Sequence, residues 1–193
     1  MRVAGLLLAG GRSSRFGSEK AVALLGDGLL MDVPLAALRA TCDALVVSAR
    51  QGSGAKARAA ELGVSCISDA PHDPEGPLAG IRRGLLWAEA AGFDWLAIAP
   101  CDAPTLGADQ YRALIRAVER GAPASVGQGE AGWEPLVSVW PVGAGRLALD
   151  AALAEGTHPA IRVVLAAIGA VPVALTGYDG RNVNAPADMP TLM

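Results

Sequence analysis

The sequence predicts an α/β fold with a mostly parallel sheet covered by helices on both faces. Three observations predict it. The strand-like runs are short and apolar throughout, the pattern of strands buried on both sides. Between them lie segments whose apolar residues recur at helical spacing. The two kinds of segment alternate through the first half of the chain, as βαβ units require. A length of 193 residues suits a single domain, 1–193, with a sizeable core.

Val3–Leu8 reads as the first buried strand. Leu29–Thr41 reads as a helix with Pro34 in its first turn, where proline is tolerated. Asp43–Ala49 is a second strand, and Gly54–Gly63 a helix stopped by Gly63. Val64–Asp69 is a third strand. Pro77–Gly92 is a strong helix, with Leu78, Ile81, Leu85 and Ala88 on one face and Gly92 at its end. Phe93–Asp102 is a fourth strand, and Gly107 and Gly121 bracket another helix. The later segments are less regular. Pro123–Gly127 and Trp133–Pro141 read as strands, Gly143–Gly156 and Pro159–Gly169 as helices, and Ala170–Leu175 as a last strand. A mixed sheet edge is expected there.

Composition excludes several classes. The chain is 52% apolar, yet no run reaches the ~18 apolar residues of a membrane span. Met1-Arg2 leads into a short apolar stretch broken by glycines, which is not the pattern of a secretory signal. A cytoplasmic location without a membrane partner is therefore expected. A net charge of −3 argues against a nucleic-acid partner. Cys42, Cys66 and Cys101 are widely spaced, and His72 and His158 are the only histidines, so neither a zinc site nor a disulfide framework is expected. The cysteines read as small buried apolar residues. Of 16 cations only Lys20 and Lys56 are lysines, and one of them stands in a glycine-bearing loop, where a compact ammonium suits phosphate.

In open α/β sheets ligands bind beyond the carboxyl ends of the strands. The residues just beyond each strand are therefore the informative ones. The first strand leads into Ala9-Gly10-Gly11 and a loop carrying Arg12, Arg15 and Lys20. The second ends in Ser48-Ala49-Arg50, the third in Asp69, and the fourth in Pro100-Cys101-Asp102. Parallel strands bring small, cationic and acidic groups to one rim.

Gly10 and Gly11 let backbone N–H groups approach an anion, with Arg15 and Lys20 to neutralise it. Gly17 allows a turn that aims Lys20 inward. The phosphate-loop pattern fails, because Gly17 is followed by Ser18-Glu19-Lys20, and the G-x-G-x-x-G fingerprint is absent too. That disfavours a nicotinamide-dependent oxidoreductase. Asp102 suits a metal ligand, since Mg²⁺ is held by one or two carboxylates plus substrate phosphates. A turn or helix cap is the competing reading, as it is for Asp69. Gly76 and Gly80 flank a helix start whose N–H groups face either a ligand or ordinary helix-entry partners. Asn182 and Asn184 fall on one side of an extended segment, where two amides read a heterocycle edge or stitch the loop to its neighbours.

"LLLAGGRSSRFGSEKA" resembles the opening signature of sugar-phosphate and cofactor nucleotidyltransferases. "EGPLAGI", "APCDAP", "EPLVSVW" and "RNVNAPADM" resemble, in order and spacing, the molybdenum cofactor guanylyltransferases across essentially the whole chain. The resemblance implies a Rossmann-like three-layer α/β/α nucleotidyltransferase fold. About 1–105 would bind nucleotide and about 106–193 the pterin cofactor. It implies transfer of GMP from GTP to molybdenum-molybdopterin with release of pyrophosphate, with magnesium, Mg²⁺, as cofactor. Leu8, Ala9, Gly10 and Gly11 would meet GTP through backbone, and Lys20 and Arg15 its phosphates. Ser48 and Asp69 would contact the nucleotide, Asp102 would hold Mg²⁺, and Asn182 and Asn184 would bind the pterin. Molybdoenzymes or cofactor-carrier proteins are the implied protein partners. Three positions depart from the family pattern: Glu19 stands for Asp, Ser48 for Asn and Glu134 for His. The alternatives are a cytidylyltransferase acting on the same pterin and a non-catalytic nucleotide-binding regulatory protein.

Overall fold

The computed structural model describes residues 1–11, 16–68, 76–154 and 158–189. Four apolar runs form parallel strands in the order β5-β4-β1-β6: β1 (Val3–Leu8), β4 (Ala44–Ser48), β5 (Ser65–Ile67) and β6 (Trp95–Pro100). The sheet continues through β8 (Gly132–Pro141) and β7 (Ala124–Gly129) to β9 (Ala170–Ala174), giving seven strands. Only β8 runs against its neighbours; β7 and β9 are parallel to each other. The sheet is thus mixed in its interior rather than at an edge. The cause is the two-residue connection between β7 and β8, too short for a crossover, which makes them a hairpin and inserts β8 beside β6. Pro172 sits in β9, an edge strand, where a missing N–H is tolerated.

Alternation along β1 supplies both cores. Val3 and Leu7 face one side, Ala4 and Leu6 the other. On the first side lie α1 (Asp32–Arg39), α2 (Gly54–Glu61) and α4 (Ala108–Glu119), represented in the core by Leu35, Leu38, Ala55, Ala59, Tyr111 and Leu114. On the other lie α3 (Pro77–Ala90), α5 (Val142–Ala154) and α6 (Ile161–Ala167). The α3 face of Leu78, Ile81, Leu85 and Ala88 is buried there as its spacing predicts, beside Trp140 and Leu165. The three-layer α/β/α arrangement expected from the sequence is present.

One element differs from the sequence reading. The stretch assigned to the start of the first helix forms a small hairpin, β2 (Leu24–Leu25) with β3 (Gly28–Leu29), and the helix begins at Asp32. Gly26, at φ 60°, supplies the left-handed residue such a two-residue turn needs. Asp32 accepts the N–H of Leu29 at 2.9 Å and pairs with Arg58 of α2 at 2.9 Å, tying hairpin and helices together.

Gly84 lets α3 lie close on the sheet. A Cβ there would stand 2.5 Å from a Leu6 methyl and 3.2 Å from a Leu96 methyl, both in fully buried side chains. Gly84→Val is expected to cost about 1–3 kcal/mol by overpacking, read as a lowered urea midpoint at unchanged slope.

Candidate active site

The strand ends form the rim that the sequence implied. In register, Leu8 is opposite Ser48 on one side and Pro100 on the other, and Ser48 is opposite Ile67. Ala9, Ala49, Ser68 and Cys101 therefore leave the sheet at one level. The Ala9 N–H goes to the Ser48 carbonyl at 2.8 Å, and the Leu8 carbonyl receives the Cys101 N–H at 3.2 Å. Those backbone groups of Leu8 and Ala9 are committed to the sheet. Among the described residues, a Cβ at Gly11 would meet nothing within 4 Å, and one at Gly10 only Ser48 atoms at 3.9 Å.

Lys20 reaches back across this rim. Gly17, at φ 75°, makes the turn assigned to it, and Lys20 starts a 3₁₀ turn, Lys20–Val22. Its Nζ donates to Asp102 Oδ2 at 2.5 Å, with both side chains about one-sixth exposed, at 16% and 17%. Residues 82 apart in sequence thus form one charge pair at the mouth of the sheet. Cys101 beside it is a neutral thiol: burial first, then the Asp102 carboxylate, pushes it up to about 12. Cys42, Cys66 and Cys101 are all free.

The C-terminal segment is stitched to the same rim. The Val183 N–H donates to the Asp102 carbonyl at 2.9 Å, and Val183 is buried while Asn182 and Asn184 stay exposed on the opposite side. Thr105, in the loop after β6, donates to Asp179 at 2.6 Å, and Gln110 donates to the Thr176 carbonyl at 2.5 Å. Asp188 accepts the N–H groups of Asn184 and Ala185 at 2.9 and 2.8 Å. Those two hydrogen bonds, with the positive charge of Lys20, hold the Asp188 carboxyl below its usual range. Val183 and Asp179 do the stitching, Asp188 closes a turn within the segment itself, and Asn182 and Asn184 are exposed, with the Asn184 amide donating to the Asn182 carbonyl at 3.4 Å.

Ser48 is only 3% exposed, and a Cβ on Gly80 would stand 2.8 Å from its hydroxyl and 2.7 Å from a Leu8 methyl. Gly80 therefore serves the close seating of α3 on the strand ends. Gly76, at φ 85°, precedes α3, and Pro77 occupies the first helical position, so that residue has no N–H to offer a ligand. Arg15 and Asp69 lie outside the described residues.

Sequence reasoning missed Asp188 and the environment of Tyr178. The Tyr178 hydroxyl is buried with no hydrogen-bond partner among the described residues. Burial, then the negative charges of Glu134, Asp102 and Asp179, pushes it well above the usual tyrosine range. Burial also raises Glu134, whose Oε1 would stand 3.2 Å from a Cβ on Gly129. The glycines Gly129 and Gly180 around Glu134 are the only sequence sign of that packing.

With this geometry the likeness to known proteins has a definite meaning. A family model described as a MobA-like NTP transferase domain matches residues 5–171. The chain belongs to that family. It is a nucleotidyltransferase with the three-layer fold of its relatives. It is 38% identical over 143 residues to the molybdenum cofactor guanylyltransferase of Cereibacter sphaeroides, covering 74% of this chain and 70% of that protein. It is 40% identical over 116 residues to a probable molybdenum cofactor guanylyltransferase of Bacillus thuringiensis, covering 59% and 56%. Among solved structures, molybdopterin-guanine dinucleotide biosynthesis protein A of Archaeoglobus fulgidus superposes with a TM-score of 0.73 at 22% identity, over 98% of this chain and 95% of that one. A 4-diphosphocytidyl-2C-methyl-D-erythritol synthase of Anaerococcus prevotii reaches 0.74 at 10% identity, over 97% and 94%, which shows the shared fold alone.

Proposed function

We propose that this nucleotidyltransferase moves GMP from GTP to molybdenum-molybdopterin, giving molybdopterin guanine dinucleotide and pyrophosphate. The observation that carries the reading is convergence on Asp102. Lys20 meets its carboxylate, and Val183, between the two asparagines, hydrogen-bonds its carbonyl. One residue thus joins the glycine-bearing nucleotide loop to the segment proposed for the pterin. On this reading about 1–105 binds nucleotide and about 106–193 the pterin cofactor. The names of the relatives supply the guanine and the molybdenum cofactor.

The donor set fits a magnesium ion that arrives with its substrate. Among the described residues no group of three or more His, Cys, Asp or Glu side chains forms a metal cluster. A lone rim carboxylate is what Mg²⁺ uses when phosphates and waters complete its shell. Asp102 would hold it, and the bound ion supplies positive charge to the triphosphate. The chain's own residues do the rest. Gly10 and Gly11 admit the nucleotide against backbone, and Lys20 faces its phosphates. Arg15 and Asp69 join them on the strength of the family pattern. An oxygen of the molybdopterin phosphate bonds to the α-phosphorus as the bond from that phosphorus to the bridging oxygen breaks, and that oxygen leaves with pyrophosphate. The nucleophile is already an anion, so no general base is needed, and positioning with charge stabilisation carries the step.

Purified protein given Mg·GTP and molybdopterin is expected to release pyrophosphate and form the dinucleotide. Removing divalent cations with a chelator should stop both, and added Mg²⁺ should restore them. Incorporation of CMP without GMP would instead make it a cytidylyltransferase. GTP binding with no pyrophosphate would make it a regulatory binder. A cytoplasmic setting suits this chemistry, and no described helix is long and apolar enough to cross a membrane. Molybdoenzymes or carrier proteins are the partners proposed to receive the product.

A further inference from the structure

Glu19, immediately before Lys20, makes contacts the sequence does not announce. Its Oε2 accepts the N–H of Gly54 at 2.7 Å, and its Oε1 accepts that of Ala55 at 2.9 Å. These are the first two residues of α2, whose N–H groups have no partner within the helix. The third, Lys56, donates to the Ser53 hydroxyl at 3.2 Å. The positive end of α2, a place where α/β proteins commonly bind phosphate, is thus occupied by a carboxylate from a loop 35 residues earlier.

The contact is tight on both sides. A Cβ at Gly54 would stand 3.1 Å from both Val22 methyls and 3.2 Å from Glu19 Oε2, so the glycine lets the lysine-bearing turn rest directly on the helix end. From the other side, the Ala21 and Ala23 carbonyls accept the N–H groups of Met31 and Leu30 at 3.0 and 2.9 Å. Ala21 is buried between these anchors. Lys20 therefore extends from a turn braced at both faces, and its ammonium arrives at Asp102 from a fixed origin.

We propose that Glu19 is a positioning residue for Lys20, clamping the lysine turn onto the amino end of α2 so that the ammonium meets Asp102 and the nucleotide phosphates in one place. This rests on the reading of Lys20 as the phosphate-facing cation. A bidentate clamp fixes both the distance and the rotation of the turn, whereas a single hydrogen bond leaves rotation free. Misplacement by ~1 Å is enough to cost up to about a hundredfold in rate.

The test compares Glu19→Ala, Glu19→Gln, Ser53→Ala, Lys20→Ala and the Glu19→Ala/Lys20→Ala double variant. Each is measured for kcat and KM in pyrophosphate release, for Mg·GTP affinity by calorimetry, and for melting temperature. Ser53→Ala removes the other cap of the same helix without touching the turn, so it lowers the melting temperature while kcat stays at the parental value. Glu19→Ala is expected to lower kcat by about tenfold to a hundredfold, with a smaller change in KM and Mg·GTP affinity. Glu19→Gln, which keeps one acceptor, should fall between, and it serves if the alanine variant does not fold. The double variant should be no slower than Lys20→Ala, because the glutamate acts through the lysine. Parental kcat in both Glu19 variants, or losses that multiply in the double variant, would overturn the proposal while leaving the role of Lys20 standing. Parental turnover by Lys20→Ala would overturn both, a separate result.

Discussion

Asp102→Ala is expected to bring pyrophosphate release down to background, a loss of about a thousandfold or more, in a protein that remains folded. The magnitude comes from what the side chain does on the proposed reading. It is the carboxylate that holds the metal, and removing such a charge-stabilising contact forfeits transition-state stabilisation that nothing else at the rim replaces. The fold survives for a local reason. The tie between β6 and the C-terminal segment is made by the Asp102 carbonyl, not its side chain, so Val183 keeps its partner in the variant. Lys20 loses its anion but is itself partly exposed and can turn to water. Asp102→Asn sharpens the test, since it keeps the volume and an acceptor for Lys20 while removing the charge. Circular dichroism and melting temperature near those of the parent, with no dinucleotide formed, are the expected pair of observations. Near-normal turnover by either variant would remove Asp102 from the metal site.

The fold was legible because its elements are governed by local pattern. The Leu78, Ile81, Leu85 and Ala88 face, the buried β1 and the glycine stops are all set by side-chain spacing over a few residues. Strand direction is not. Trp133–Pro141 reads as an apolar run whichever way it points, and only the brief link from Gly129 to Gly132 reveals the hairpin. The β2–β3 hairpin was signalled by Gly26-Asp27, a turn pair between two leucine pairs, but the helical spacing just after it masked the signal. At the site, the residue types that bear charge were readable, whereas their partners were not. The link from Glu19 to Gly54 and that from Val183 to Asp102 exist only once strand order has brought distant segments together. At Gly80 the sequence leaves a ligand and ordinary helix-entry packing both open, and the space a Cβ would take is filled by Leu8 and Ser48.

Lys20→Ala is expected to lower kcat by about a hundredfold to a thousandfold in a protein that remains folded. Negative charge grows on the departing pyrophosphate as its bond to the α-phosphorus breaks. A cation facing those oxygens therefore binds the transition state more tightly than bound GTP, and its loss falls more on kcat than on KM. The stability side has a separate argument. The pair is largely buried, each side chain about one-sixth exposed, so removing Lys20 leaves the Asp102 carboxylate short of a partner and lowers the melting temperature without unfolding the protein. The pair's arrangement keeps two opposite charges poised at the end of β6. Lys20→Arg tests the chemistry further. Guanidinium is a planar fork suited to one bidentate partner, whereas an ammonium shares three rotatable donors among a carboxylate and several phosphate oxygens. Arginine is already the common cation of this chain, yet lysine stands at this position. Lys20→Arg should consequently keep Mg·GTP affinity and still lose most of kcat. A rise in KM alone, at parental kcat, would reduce Lys20 to a binding residue and leave the charge-stabilising role to another cation.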